Sequence, residues 1–99
     1  MFEDKIKIKD TTIGSLSEPF IIAEMACAHN GEIDQAKKLI DSAIGAKADA
    51  IQLQFFVADQ TVTPKHQAYE TIKEIEFSKE NWFEIINYVR SKSSIFIFA

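Results

Sequence analysis

Cysteine is almost absent from this sequence, which contains a single one, Cys27. One thiol excludes a disulfide within the chain and is typical of proteins from a reducing compartment. No histidine or second cysteine lies at a spacing diagnostic of an activated thiol. We therefore interpret Cys27 as a small buried side chain.

The sequence also lacks an excess of positive charge and long apolar runs. Its formal net charge is −4, whereas a nucleic-acid partner needs a concentrated basic surface. The lysines at positions 5, 7 and 9 alternate with isoleucines, as on the wet face of a strand. Apolar segments such as residues 20–23 are far shorter than the ~20 residues that span a bilayer, and the charged N-terminus does not resemble a signal peptide. We expect a cytoplasmic protein with no nucleic-acid and no membrane partner.

Motifs for phosphate loops and metal sites are missing as well. Neither GxGxxG nor GxxxxGK[ST] occurs, and the two histidines are not spaced like metal ligands. His29 precedes the turn signal Asn30-Gly31, so we interpret it as a loop histidine that bonds locally. His66 lies in a polar segment and is expected to be solvated. No metal ligand is predicted within the chain.

The apolar residues that are present predict alternating strands and helices. Alternation around Ile6 and Ile8, followed by a turn, predicts an N-terminal hairpin that ends near Gly14. Apolar residues recur at helical spacing in two later segments, the second of them capped by Ser78. The further predicted elements are strands at 20–25, 50–56 and 95–98 and helices around 36–44, 64–73 and 79–90. The first of these strands is apolar on both faces before Glu24, as in a parallel strand covered on both sides.

Strand, helix, strand, helix, strand is an α/β pattern that two architectures share, namely a doubly wound sheet and a (β/α)8 barrel. A barrel needs roughly 250 residues. A chain of 99 residues would therefore hold only about the first third of one.

Three polar side chains stand at the carboxyl ends of two predicted strands. Glu24 ends the first strand, and Gln52 and Gln54 share one face of the second with Phe56. Ligands bind at the carboxyl ends of strands in barrels and open sheets alike. The alternative is that Glu24 pairs with a lysine and the glutamines bond to backbone, because buried polar groups need partners whatever their role.

Three segments in the right order and spacing resemble the N-terminal part of the sialic acid synthase family. They are FIIAEMACAHNG, AKKLIDSAIGAKADAIQLQFF and EFSKENWFEIINYVRSKSSIFIFA. The family pattern runs I-A-E-I-G-x-N-H-x-G, then a helix and A-G-A-D-x-V-K-F-Q, then a serine-capped helix with a tryptophan near its start. The match covers residues 19–99.

This resemblance implies a fold and a reaction. Residues 1–18 would form a hairpin and linker, and residues 19–99 the first β/α units of a (β/α)8 TIM barrel. Family members are homodimers that condense phosphoenolpyruvate with an N-acetylmannosamine-type sugar and use a divalent metal, Mn²⁺ or Mg²⁺. Its ligands, two histidines, would lie outside this chain. Glu24 matches the glutamate among the reacting groups and Gln54 the glutamine that contacts the sugar.

The departures from the family pattern concern the same region. Gln52 stands where members have lysine, and an amide cannot supply the charge that suits phosphoenolpyruvate. Ala26 and Ala28 replace glycine and asparagine. Lys47 replaces the glycine that ends the first helix, at a cost of about 1 kcal/mol if its φ is positive.

Three hypotheses follow. The first is the N-terminal piece of a sialic acid synthase-type enzyme, active only in the intact protein and inactive as the isolated chain. The second, motivated by Gln52, is a sugar-binding or scaffolding remnant without catalysis. The third is another βα-barrel enzyme, an aldolase or isomerase acting on a small phosphorylated substrate.

Overall fold

The computed structural model describes residues 5–99. The first four residues of the predicted hairpin segment lie outside this range. The elements are β1 (Lys5–Ile8), β2 (Thr11–Gly14), β3 (Ile22–Glu24), α1 (Ile33–Gly45), β4 (Ala50–Gln52), α2 (Ala58–Thr61), α3 (Tyr69–Ile75), α4 (Lys79–Lys92) and β5 (Phe96–Phe98).

The predicted N-terminal hairpin is present. β1 and β2 pair antiparallel, with Lys5 opposite Gly14 and Ile8 opposite Thr11. The turn is tighter than expected, because Thr11 and Thr12 belong to β2. In β1, Ile6 is exposed together with Lys5 and Lys7, and Ile8 is half-buried. The division of the chain into residues 1–18 and 19–99 stays a prediction.

The remaining strands form a parallel sheet in the order β3-β4-β5. Glu24 lies beside Gln52, and Gln52 beside Phe98. The strands are shorter than predicted, since β4 pairing ends at Gln52, and Leu53 N–H then donates to the carbonyl of Phe98 over 2.7 Å. Successive strands joined through helices confirm the α/β class, and the closed barrel stays a prediction.

Helices α1 and α4 pack against each other and against one face of this sheet. The apolar stripes predicted from the sequence form the contact, and the buried cluster comprises Met25, Ala36, Ile40, Ala43, Ile51, Leu53, Phe77, Trp82, Ile85, Val89 and Ile95. Ser78 caps α4 as predicted, because its Oγ accepts from the backbone N–H of Asn81 over 3.1 Å.

The opposite face of the sheet is open, so the prediction that the first strand is covered on both sides is wrong for residues 5–99. Ile22 is 43% exposed, and Glu24 two residues later is exposed as well. Alternation explains the difference, because Met25 points to the helices while Ile22 and Glu24 point away from them. On this open face Phe20 packs against the rings of Phe96 and Phe98, at centroid distances of 5.8 and 6.5 Å.

The connection from β4 to α4 contains two short helices, and the single helix predicted at 64–73 is wrong in its start. The backbone around Thr63-Pro64 forms a turn, because His66 N–H donates to the carbonyl of Thr63. The helix α3 therefore begins only at Tyr69. The C-terminal end of α3 is tied down by Glu76, which accepts from the N–H of Ala58 over 2.9 Å.

No helix among the described residues is long and apolar enough to cross a membrane. Localisation in the cytoplasm stays a prediction.

Candidate functional site

The three polar residues predicted at the strand ends come together in the structure. Glu24 and Gln52 are register partners on β3 and β4, and Gln54 projects from the same face just beyond β4. Together with Ala26 they line a cavity of about 90 Å³. Complete small-molecule sites measure about 300–1,000 Å³, so the cavity lined by these four residues is too small to be a complete site. Their individual roles stay predictions.

Glu24 is available for interaction in this cavity. Within residues 5–99 its carboxylate makes no ion pair, and the side chains of Gln52 and Gln54 make no hydrogen bond. The alternative interpretation, in which Glu24 pairs with a lysine and the glutamines bond to backbone, therefore finds no support in the described part of the chain. A free carboxylate can accept a proton, and each amide can both donate and accept hydrogen bonds.

The lining of the cavity carries no cation. A carboxylate and two amides suit neutral hydroxyl groups better than a phosphate, which calls for Arg, Lys or a helix N-terminus. In the described range no three metal-ligating side chains cluster together. One carboxylate does not make a metal site, so these residues do not by themselves fit the divalent ion that the family resemblance implies.

The turn that follows β3 is a compact run of hydrogen bonds. The carbonyls of Met25, Cys27 and His29 accept in turn from Ala28, Asn30 and Glu32 N–H. Such tight winding points Met25 and His29 inward and leaves the three residues between them, 26–28, exposed. Cys27 is exposed, so the prediction of a buried thiol is wrong, and its reason is this local geometry.

Two residues that stand where the resemblance implies glycine adopt left-handed backbone. Ala26, which lines the cavity, has φ 48°, and Lys47 after α1 has φ 61°. The left-handed region costs a residue with a Cβ atom about 1–2 kcal/mol. The condition stated for Lys47 is met, and Ala26 is a further strained position, two residues after Glu24.

His29 is the residue whose importance the sequence interpretation missed. Its local bond is present as expected, because the N–H of Gly31 donates to Nδ1 over 2.9 Å. Its side chain is nonetheless fully buried, at 0% exposure, with the ring 4.2 Å from that of Phe77 and 6.1 Å from that of Phe56. Desolvation in this apolar surrounding lowers the pKa of His29. The sequence signals that could have drawn attention to this residue are its apolar neighbour Met25 and the histidine that the family pattern carries at this position.

The buried imidazole is not fully satisfied. Nδ1 accepts a hydrogen bond, so in the neutral ring the proton sits on Nε2. Nε2 has no hydrogen-bond partner among residues 5–99. An unpaired buried polar group costs about 1–3 kcal/mol, which an apolar side chain would avoid at this position.

A larger cavity of about 440 Å³ lies outside the polar site. Its walls are mainly aromatic and include Phe55, Phe56, Phe77, Trp82 and Phe83. This cavity is larger, but no polar side chains converge in it. The small cavity at Glu24 is lined by a carboxylate and two amides, which can bind a polar ligand. We place the candidate site at Glu24 for that reason.

Comparison with known proteins gives consistent relatives, although no family model matches the chain. It is 33% identical over 102 residues to the spore coat polysaccharide biosynthesis protein SpsE of Bacillus subtilis, with 92% of this chain and 27% of that protein covered. It is 38% identical over 68 residues to the N,N'-diacetyllegionaminic acid synthase of Legionella pneumophila, with 69% of this chain and 17% of that protein covered.

The fold agrees with these relatives. The crystal structure of N-acetylneuraminic acid (sialic acid) synthetase from Leptospira borgpetersenii superposes with a TM-score of 0.82 at 29% identity, over 95% of this chain and 33% of that one. The chain spans about a sixth to a quarter of the length of these curated relatives. Sequence and fold thus point to the same group of proteins, and the chain belongs to the sialic acid synthase family, of which it represents an N-terminal part.

Proposed function

We propose that the protein to which this chain belongs condenses phosphoenolpyruvate with an N-acylated hexose of the N-acetylmannosamine type to form a nonulosonic acid. The observation that carries this proposal is the meeting of Glu24, Gln52 and Gln54 at the carboxyl ends of two parallel strands. Support also comes from relatives named for sialic and legionaminic acid synthesis. The (β/α)8 barrel is part of the same proposal.

Each of the three side chains has a role that its chemistry allows. Glu24 is unpaired in the described part of the chain and acts as the proton acceptor or polar ligand beside the reacting carbon. Gln54 binds sugar hydroxyls through an amide that both donates and accepts. Gln52, next to Glu24 in the ladder, supplies a second amide to the sugar.

Several parts of the proposal come from the family and not from these residues. They are the divalent Mn²⁺ or Mg²⁺ ion, the homodimer, and the groups that bind the phosphate. No step assigned to Glu24, Gln52 or Gln54 passes through the metal.

The test is phosphate release by the full-length protein supplied with phosphoenolpyruvate, Mn²⁺ and N-acylated hexoses. We expect sugar-dependent phosphate release that Glu24→Gln reduces by about 10²-fold or more, as removal of a general base does. Glu32→Gln is the matched control, because Glu32 is an exposed carboxylate on the same loop whose side chain makes no cap bond. Absence of sugar-dependent phosphate release from the wild-type protein would refute the proposal.

A second candidate, sugar binding without turnover, is favoured by one observation, the uncharged lining around Gln52. Gln52→Lys separates the two. A working synthase changes its KM for phosphoenolpyruvate when a cation enters the cavity, because the amide cannot supply that charge. A binding remnant gains no turnover from the same change and still binds the sugar.

A further inference from the structure

The ring of His29 joins three separate parts of the structure. It belongs to the turn after β3, it stacks on Phe56 beyond β4 with an interplanar angle of 10°, and it contacts Phe77 and Trp82 at the start of α4. Phe56 follows Gln54 by two residues, and Glu24 precedes His29 by five. The ring therefore lies between the two chain segments that carry the polar site.

The segment that carries Gln54 depends on such side-chain packing. Regular pairing of β4 ends at Gln52, and the bond from Leu53 to Phe98 is the last of its ladder. Gln54 is exposed and Leu53 before it is buried. The contact between Phe56 and His29 therefore holds the chain in place on the C-terminal side of Gln54.

The turn that carries His29 is fixed at both of its ends. At one end Met25 N–H donates to the carbonyl of Gln52 over 3.2 Å. At the other, Gly31 packs against α3 so closely that an added Cβ would lie 2.9 Å from the Cα of Ile75. The bond from Gly31 N–H to Nδ1 ties the imidazole to that second end.

We propose that His29 is a positioning residue, which holds the end of β4 against the turn after β3 and so sets where Gln54 stands relative to Glu24. It does not touch the cavity itself, whose walls are Glu24, Ala26, Gln52 and Gln54. The need for both an acceptor at Nδ1 and a flat ring explains why a histidine occupies a site where Nε2 stays unpaired in the described structure. The consequence for catalysis rests on the proposed function, while the geometric part does not.

Two substitutions separate the two roles of this side chain, as a hydrogen-bond acceptor and as a flat ring. His29→Asn keeps an acceptor for Gly31 N–H and removes the ring, whereas His29→Phe keeps a ring and removes the acceptor. The same pair at His66 is the matched control, because His66 Nδ1 accepts from Ala68 N–H over 3.0 Å in the same way but is exposed. All four variants are made in the full-length protein.

The first measurement is independent of activity. Glutamine is labelled with ¹⁵N, and the side-chain amide signals are compared among variants by NMR. We expect both His29 variants to shift the signal of Gln54 and to leave Gln67 unchanged. The His66 variants should do the reverse, since Gln67 adjoins His66.

The second measurement separates kcat from the two KM values. A displaced Gln54 raises the KM for the sugar and lowers kcat, with kcat/KM for the sugar falling by about 10²-fold, as a misplacement of about 1 Å can cause. The KM for phosphoenolpyruvate should stay near the wild-type value. A merely structural role would lower the active fraction and leave both KM values unchanged.

The outcomes are distinct. The inference is wrong if folded His29 variants leave the Gln54 signal in place, or if neither variant folds, since His29 would then support the core and not the site. If only one variant folds, the Gln54 signal of that variant decides whether the inference holds. If the wild-type protein releases no phosphate, the proposed function fails and the inference is judged on the Gln54 signal alone.

Discussion

The two histidines of this chain make the same local bond in very different surroundings. In each, Nδ1 accepts from the backbone N–H two residues later, over 2.9 Å at His29 and 3.0 Å at His66. His29 is fully buried among aromatic rings, and His66 is exposed. The short-range sequence determines the bond, but packing from residues 27 to 53 positions away determines what the ring can do.

The largest difference is expected when each ring is removed. His29→Ala should lower the free energy of unfolding by about 2–4 kcal/mol, because it leaves a cavity between Phe77 and Phe56 and an unpaired Gly31 N–H. His66→Ala should change it by no more than about 0.5 kcal/mol, as expected of an exposed position. Urea unfolding curves of the two variants measure both values. Equal losses would show that the burial of His29 contributes nothing to stability.

The residues that donate to the two rings differ almost as much. Gly31 has φ 76° and no room for a side chain against Ile75, whereas Ala68 has φ −84°. Gly31→Ala should lower the free energy of unfolding by about 2–3 kcal/mol. The added Cβ introduces left-handed strain and also clashes with backbone atoms, which cannot move aside as a flexible side chain could. Ala68→Gly should cost less than about 1 kcal/mol. Thermal unfolding of both variants checks the order, and a larger loss at Ala68 would reverse the comparison.

The stability of the protein should depend on pH through His29. Burial lowers the pKa of His29 below its usual value of 6.5 in the folded state. The unfolded chain then binds more protons below that pH, so the contribution of His29 is fully present above about pH 6.5 and is lost as the pH falls toward the folded pKa. The loss can reach about 1.4 kcal/mol per pH unit.

Unfolding free energies measured between pH 7.5 and 5 test this in the wild-type protein and in His29→Asn. We expect the acid-induced loss to shrink in the variant, because its side chain does not titrate. The fluorescence of Trp82, the single tryptophan of the chain, should change over the same pH range, since its ring lies 6.2 Å from that of His29. An unchanged pH profile in His29→Asn would assign the loss to other groups.

What the sequence could predict follows the range of the interactions involved. The helical stripes around Ile40 and Ile85 and the meeting of Glu24 with Gln52 come from periodicity, which the chain carries locally. The burial of His29 and the exposure of Cys27 come from how one turn winds, and no periodic pattern encodes that.

The open face of the sheet was missed for a related reason. Continuous apolar character in residues 20–22 predicts cover on both sides but does not say which segment provides it. Within residues 5–99 only one side is covered, by α1 and α4. The cavity at Glu24 opens on the other side of the sheet, which no described element covers.

The smallest effect is expected at the backbone beside the site. Ala26 and Lys47 both have positive φ, 48° and 61°, so glycine at either position relieves left-handed strain and adds flexibility to the unfolded chain. The net result should be an increase in the free energy of unfolding of about 0.5–1 kcal/mol for both Ala26→Gly and Lys47→Gly. The two differ in place, since only Ala26 lines the cavity with Glu24. Ala26→Gly should therefore also shift the glutamine amide signals of Gln52 and Gln54, whereas Lys47→Gly should raise the melting temperature and leave those signals unchanged. If Lys47→Gly moved the amide signals as well, the turn after β3 would not be the segment that sets the site.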